Sequence, residues 1–374
     1  LCAMTCPTAA ASERMTINIG DADTGTGTGY SYQGIAGYGI YLWGAQLALG
    51  TAVTAYNATT SAAYYGPRFE YDPVTLAPKG LLIEQSSTNL LTYSEQLNNA
   101  AWSRFTSTVT ADAATAPDNT TTADKVIVNN GVSSGAIFQT YTKAASAIQY
   151  TASIYAKAGE WNSVGLYLQG GSFTNRASII VNLVTGTSTG VSSAGTFSAA
   201  AFTSTAVGNG WYRVTLTATT GTETSVQPYI YPANNLTIPN GDGTSGIYVW
   251  GAQLETNAFA TSYIPTTSAT VTRAADVASM TGTNFSSWFN GTTGTIYGEG
   301  DVITSTPTPY SFMLEGYISG VGAGTFTIGI GTTTAQFGLN ARIGGALNNS
   351  REDFAYAYST SALIKAAVAY DTSG

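Results

Sequence analysis

One short stretch occurs twice in this chain with little change. Gly39-Ile40-Tyr41-Leu42-Trp43-Gly44-Ala45-Gln46-Leu47 returns as Gly246-Ile247-Tyr248-Val249-Trp250-Gly251-Ala252-Gln253-Leu254. The match continues at the same offset to Tyr56 and Tyr263, each of which closes a run of small residues. A shared, gap-free offset indicates a duplicated fold unit. In each copy Ile and Leu or Val alternate with Tyr and Trp before Gly interrupts, which predicts a β-strand carrying a bulge or a close backbone approach. It is expected to be the last strand of a sandwich domain. Trp43, Trp250 and Trp211 are expected as structural core, since bulky aromatics dominate core burial.

The rest of the sequence favours the same fold class. Charged residues make up only 9% of the 374 residues, against roughly 25% in a typical soluble domain. Solubility must then come from Thr, Ser, Asn and Gln. With 42 Gly and 24 Tyr, such a chain suits short strands joined by tight turns. An all-β fold is expected.

Several function classes are excluded by counting. There is no His, which removes a Ser-His-Asp triad and any His-based zinc site. Lys and Arg total 13 against 21 Asp and Glu, a net charge of −8, and no basic cluster exists to neutralise phosphates, so nucleic acid is not an expected partner. No run approaches the ~18 apolar residues a membrane span needs, so membrane insertion is not expected either. Cys2 and Cys6 could close one small loop or stay unpaired. The opening on Leu rather than Met is expected of a fragment or a processed product.

Along the chain, the loop Asp21 to Gly29 has glycine spacing without the strand-turn-helix frame or the Lys-Ser or Lys-Thr of a phosphate cradle. Asp21 and Asp23 could ligate a structural Ca²⁺ or serve as turn residues; no other cofactor is expected. From residue 97 onward, Tyr150 to Ala156, Ser163 to Leu168, Ile179 to Leu183, Tyr212 to Leu216, Val226 to Tyr231 and Ile247 to Trp250 alternate, with turn residues between them. This predicts a two-sheet antiparallel sandwich.

A set of short motifs carries a resemblance. Arg68-Phe69, Leu81-Leu82-Ile83-Glu84, Thr88-Asn89-Leu90-Leu91, Ala101-Trp102, Asn209-Gly210-Trp211-Tyr212-Arg213-Val214, Gly251-Ala252-Gln253-Leu254-Glu255, Ser262-Tyr263-Ile264-Pro265-Thr266-Thr267 and Thr272-Arg273-Ala274-Ala275-Asp276 together resemble tail-associated virion proteins of bacteriophages and prophages. The resemblance covers about residues 63 to 290. In that family the block is a jelly-roll module of carbohydrate-binding type, often followed by a laminin-G or concanavalin-like sandwich. The final strand of sugar-binding jelly rolls often carries Asp where Trp250 stands, so an inherited Ca²⁺ position is not implied.

The implied organisation is tandem β-sandwich modules, the first and last incomplete. Residues 1–62 would be the C-terminal half of a first jelly-roll repeat and 63–96 a Pro/Gly-rich connector with a short strand. Residues 97–272 would be a complete jelly-roll carbohydrate-binding-like module and 273–374 part of a laminin-G or concanavalin-like sandwich. The resemblance further implies a virion-surface or extracellular place, with other virion proteins as partners. Further copies of the chain, as a homo-oligomer such as a trimer, and a cell-surface glycan are the other implied partners.

Strand alternation also sorts faces, because residues two apart share a side. Ala152, Ile154 and Ala156 should face the core, as should Val164, Leu166 and Leu168, and Val226, Pro228 and Ile230. If the strands neighbour one another, Tyr155, Tyr167, Gln227, Tyr229 and Tyr231 share an outer face, with Gln169 near the strand end. Flat aromatic rings beside amides suit the C–H faces and hydroxyls of sugars. The same face could instead pack against a neighbouring subunit.

No catalytic residue is expected. Glycoside cleavage needs two carboxyls facing each other across a sugar ring, and Glu160, Glu255 and Asp242 fall at predicted loops or strand ends without such a pattern. The reading is therefore a non-enzymatic phage structural protein of tail or capsid surface, serving adhesion or decoration. The alternatives are the binding-module part of a secreted carbohydrate-active enzyme and a self-assembling filament subunit.

Overall fold

A computed structural model describes residues 68–278, 283–288, 293–300, 311–318, 324–331, 336–342, 352–354 and 364–371. Trp43, the first copy of the repeat, Asp21, Asp23, Cys2 and Cys6 lie outside these residues. The strands begin with β1 (Phe69–Tyr71), β2 (Pro78–Leu81), β3 (Ser87–Asn89), β4 (Ser103–Phe105), β5 (Ser107–Ala114), β6 (Ala123–Val128), β7 (Ala136–Phe138) and β8 (Tyr141–Thr142). They continue with β9 (Gln149–Ala158), β10 (Ser163–Gln169), β11 (Arg176–Asn182), β12 (Ser192–Ala194), β13 (Ser198–Ala206), β14 (Trp211–Thr219), β15 (Ser225–Ala233), β16 (Gly246–Glu255) and β17 (Val271–Arg273). A single helical turn, α1 (Thr283–Ser286), precedes β18 (Thr293–Gly300), β19 (Ser311–Ile318), β20 (Gly324–Gly331), β21 (Gln336–Arg342), β22 (Glu352–Phe354) and β23 (Ile364–Asp371).

The expected all-β sandwich is found. One sheet has the order β12-β11-β10-β15-β7-β4, with β8 also on β15; the other runs β13-β14-β9-β16-β6-β5. Every pairing in both sheets is antiparallel. The central orders β7-β15-β10-β11 and β6-β16-β9-β14 are those of a double Greek-key jelly roll. Farther along, β18 pairs with β23, and β19 to β22 form a four-stranded antiparallel meander.

The core lies between the two sandwich sheets, and the alternation read from the sequence fills it. Ala152, Ile154, Ala156, Val214, Leu216 and Val249 from one sheet belong to one buried cluster with Val164, Leu166, Leu168, Ile179, Val226 and Ile230 from the other. Each fully buried aliphatic side chain of this kind is worth roughly 1.5–3 kcal/mol of transfer free energy. That drive fixes which side of each strand turns inward.

The repeated tryptophan strand is the last strand of the sandwich, yet it sits centrally in its sheet, between β9 and β6. The predicted bulge is present: the register with β9 shifts between Trp250 and Gln253, and Gly251 adopts φ +63°. Before the bulge Ile247 and Val249 are in the core; after it Ala252 and Leu254 are. Trp250, Gln253 and Glu255 therefore face the outer side of the sheet.

The two described tryptophans of the expected core lie away from the space between the sheets. Trp211 and Trp250 are buried, but in a second, smaller cluster with Ala116 and Ala123, backed by Tyr155 and Tyr263. The chain wraps over them: Trp211 Nε1 donates to the Thr115 carbonyl (3.1 Å) and Trp250 Nε1 to Thr122 Oγ1 (3.0 Å). They fix the covering layer to the sheet and do not fill the space between sheets.

Beside the tryptophans a polar network joins segments far apart in the chain. The Glu255 carboxylate is fully buried and accepts from Ser87 Oγ (2.6 Å), Gln253 Nε2 (2.6 Å), the Thr261 amide (3.0 Å) and Thr261 Oγ1. Asn89 Nδ2 donates to the carbonyls of Ala252 (3.1 Å) and Ile264 (2.9 Å). Glu84 pairs with Arg273 (3.0 Å) and accepts from the Ser262 amide (2.7 Å). Strand β3 pairs with β17, and Asp276 accepts from the Glu84 amide (2.8 Å). A smaller joint holds the turn after β8. Lys143, buried, donates from Nζ to the carbonyls of Ala144 (3.1 Å), Ser146 (2.8 Å) and Gly221 (3.1 Å).

Two substitutions test this frame. Glu255→Ala strands several buried donors, and urea unfolding should show a loss of about 3–5 kcal/mol. Gly251→Ala sets a Cβ 2.9 Å from Tyr155 Cδ2 at a positive φ, and should cost about 1–3 kcal/mol by the same measurement.

Candidate functional site

The outer face of the β12-β11-β10-β15-β7-β4 sheet carries a continuous row of aromatic rings. Pairing register builds it: Tyr167 on β10 lies opposite Tyr229 on β15, and Tyr229 opposite Phe138 on β7. Because the neighbours of each of these residues along its strand point into the core, the rings have only the outer side to occupy. Phe138 and Tyr229 stack with centroids 4.2 Å apart and planes 12° apart. Tyr229 lies 5.8 Å from Tyr231, and Tyr231 4.8 Å from Tyr167. Phe173, in the β10–β11 turn, ends the row 6.5 Å from Tyr167.

A glycine makes the row compact. Gly165 is the cross-strand partner of Tyr231, and a Cβ there would stand 3.2 Å from Tyr231 Cβ and 3.3 Å from Tyr167 Cε1. Tyr231 thereby sinks to 7% exposure, while Phe173 keeps 55%. The face thus has a buried floor and an open end.

Polar groups border the rings. Arg176 on β11, Gln169 on β10 and Gln227 on β15 lie opposite one another in a line beside the row. Gln169 Nε2 donates to the Tyr231 hydroxyl (3.4 Å) and Gln227 Nε2 to Thr140 Oγ1 (2.8 Å). The Arg176 guanidinium sits 4.0 Å from the Phe173 ring centre, and its Nη1 donates to the Phe173 carbonyl (2.6 Å).

Of the predicted face, Tyr167, Gln227, Tyr229 and Tyr231 come together and Tyr155 does not. Tyr155 belongs to β9, in the other sheet, where it meets Trp250 (5.4 Å) and Tyr263 (6.2 Å) edge-on. Strands β9 and β10 are consecutive in sequence but cross from one sheet to the other, so residues facing outward on each look in opposite directions. Phe138, Phe173 and Arg176 were not foreseen. The alternation of Ala136-Ile137-Phe138 could have found the first. The other two sit in and after a Gly-Gly-Ser turn, where period-2 patterning gives no signal.

The carboxylates weighed from the sequence are each engaged in structure. Glu160 pairs with Lys125 at 2.7 Å, which lowers its carboxyl below the ordinary range. Asp242 caps its own turn, accepting from the amides of Thr244 (2.8 Å) and Ser245 (2.7 Å). Glu255 is the centre of the buried network. Among the described residues no group of three or more metal-ligating side chains occurs.

No family model matches the chain, and no curated protein matches it. Among solved structures, the enzymatically active domain of bacteriophage CBA120 tailspike protein 4 is similar to 44% of this chain at 11% identity and a TM-score of 0.27, over 21% of its own length.

The ring row has a defined acid–base behaviour. Burial raises the hydroxyls of Tyr167, Tyr229 and Tyr231, that of Tyr231 to about 12. All three are neutral near pH 7. Their preference for the neutral form in the folded state stabilises the fold fully below the unfolded tyrosine value of about 10, and is lost as pH rises from there toward 12. Ultraviolet titration of tyrosine ionisation should show a class that lags free tyrosine, reduced in Tyr231→Phe, and the urea midpoint should fall over the same window.

Proposed function

We propose that this chain is a non-enzymatic bacteriophage virion protein of the tail or capsid exterior, which adheres to cell-surface glycans through the aromatic face. The observation that carries the reading is the row Phe138, Tyr229, Tyr231, Tyr167 and Phe173 on one sheet face, bordered by Gln169 and Gln227. Sugar rings offer apolar C–H faces edged by hydroxyls, and flat rings beside amide groups complement both. The motif resemblance to tail-associated proteins supports the virion setting. The jelly-roll order of the sheets agrees with the module that resemblance implies.

The motif residues themselves are accounted for by architecture. Glu84, Asn89, Gln253, Glu255, Tyr263, Arg273 and Asp276 all take part in the contacts that bind the flanking segments to the sandwich. They specify the frame, and the exposed face is left to specify the ligand. Partners in this reading are other virion proteins, further copies of the chain and the glycan.

A glycan array probed with the full chain is the test. Binding to bacterial surface polysaccharides is expected, reduced roughly tenfold in Tyr229→Ala and unchanged in Tyr155→Phe. Bound polysaccharide should release no reducing ends. Failure to bind any saccharide, or equal loss in both variants, overturns the placement of the site; release of reducing ends overturns its non-enzymatic character.

A further inference from the structure

We infer that the saccharide taken by the aromatic face carries a carboxylate, which Arg176 receives at the end of the row where Phe173 stands. This rests on the glycan-binding reading and adds the charge of the ligand to it.

Arg176 is the arginine that borders the aromatic face, beside Gln169 and against Phe173. Lys125 is paired with Glu160, Arg273 with Glu84, and Lys143 is enclosed by three carbonyls. Arg213 donates to Ser153 Oγ and the Thr261 carbonyl within the polar network. Among the described residues no carboxylate pairs with Arg176. Its one hydrogen bond is to the neutral Phe173 carbonyl, and its Nε is closed off from solvent without an acceptor. The Nε atoms of Arg213 and Arg273 are closed off in the same way, but Arg176 alone of the three stands beside the aromatic row, where its guanidinium is suited to pair with a carboxylate on a bound ligand.

The position of that charge selects the anion. Ser178, the next outward residue of β11, is the cross-strand partner of Tyr167, and Arg176 is the partner of Gln169. A sugar ring lying on Tyr167 therefore has an amide and then a guanidinium along one edge. The Phe173 ring at 4.0 Å and the hydrogen bond to the Phe173 carbonyl hold the guanidinium in place, and its planar fork suits the two-point geometry that a carboxylate accepts. The chain as a whole carries a net charge of −8, so acidic polymers gain no general attraction, and a preference for them has to come from this local group.

Matched polysaccharides test the inference. Bacterial capsular polysaccharides containing uronic acids would be arrayed beside their carboxyl-reduced forms, which keep the sugar stereochemistry and remove the charge. Wild-type chain should bind one or more acidic members and lose about tenfold in affinity on carboxyl reduction, or on raising the salt from 0.05 to about 0.5 M. Arg176→Gln should lose about tenfold on the acidic form and bind the reduced form as the wild type does, with Arg176→Lys between them. Unchanged thermal midpoints for both variants separate this from a general role in holding the turn. Equal binding of acidic and reduced forms overturns the carboxylate while leaving glycan binding intact. Binding of neither form overturns both readings.

Discussion

The Glu255 carboxylate holds the sandwich to the segments on either side of it. A buried carboxylate without donors is strongly unfavourable, while one that accepts several hydrogen bonds is tolerated and oriented. Its donors come from β3, from the bulged end of β16 and from the segment at Thr261. None of these can leave without exposing the others' unsatisfied groups inside the protein. The β3–β17 pair and the Glu84–Arg273 ion pair extend the same coupling to both chain directions. Segments nearly two hundred positions apart thus behave as one mechanical unit.

The bulge at Gly251 makes this arrangement geometrically accessible. Strict alternation would send Trp250 and Ala252 to the same side of β16. The extra residue moves Ala252 and Leu254 into the core while Trp250, Gln253 and Glu255 stay outside it. The strand consequently serves two layers: aliphatic packing between the sheets, and an aromatic and polar layer beneath the chain that crosses over it.

Much of this was legible in the sequence because side-chain alternation is local. The inward residues of β9, β10 and β15 follow from period 2 alone, and a glycine inside a strand pattern marks a bulge. What period 2 cannot supply is which strands share a sheet. Tyr155 and Tyr167 both point outward from successive strands, yet the chain crosses the core between them, so one faces the ring row and the other faces Trp250. Trp250 shows the same limit. Its burial was predictable from size, while the layer that buries it depends on Thr122, remote in sequence, together with Tyr263. Phe173 belongs to a turn, where no period exists to be read, and Arg176 is the first residue of the strand that follows it. The aromatic face is thus half visible in the sequence: Tyr167, Tyr229 and Tyr231 follow from pattern, and the turn that carries Phe173 and leads into Arg176 does not.

The turn beyond β8 has a different kind of consequence. Three carbonyl oxygens converging on one point form the sort of oxygen cage that a hard cation can occupy. Here the charge arrives on the Lys143 side chain. A tethered ion cannot diffuse away or be stripped by a chelator, so this corner keeps its geometry in media that leach metals from their sites.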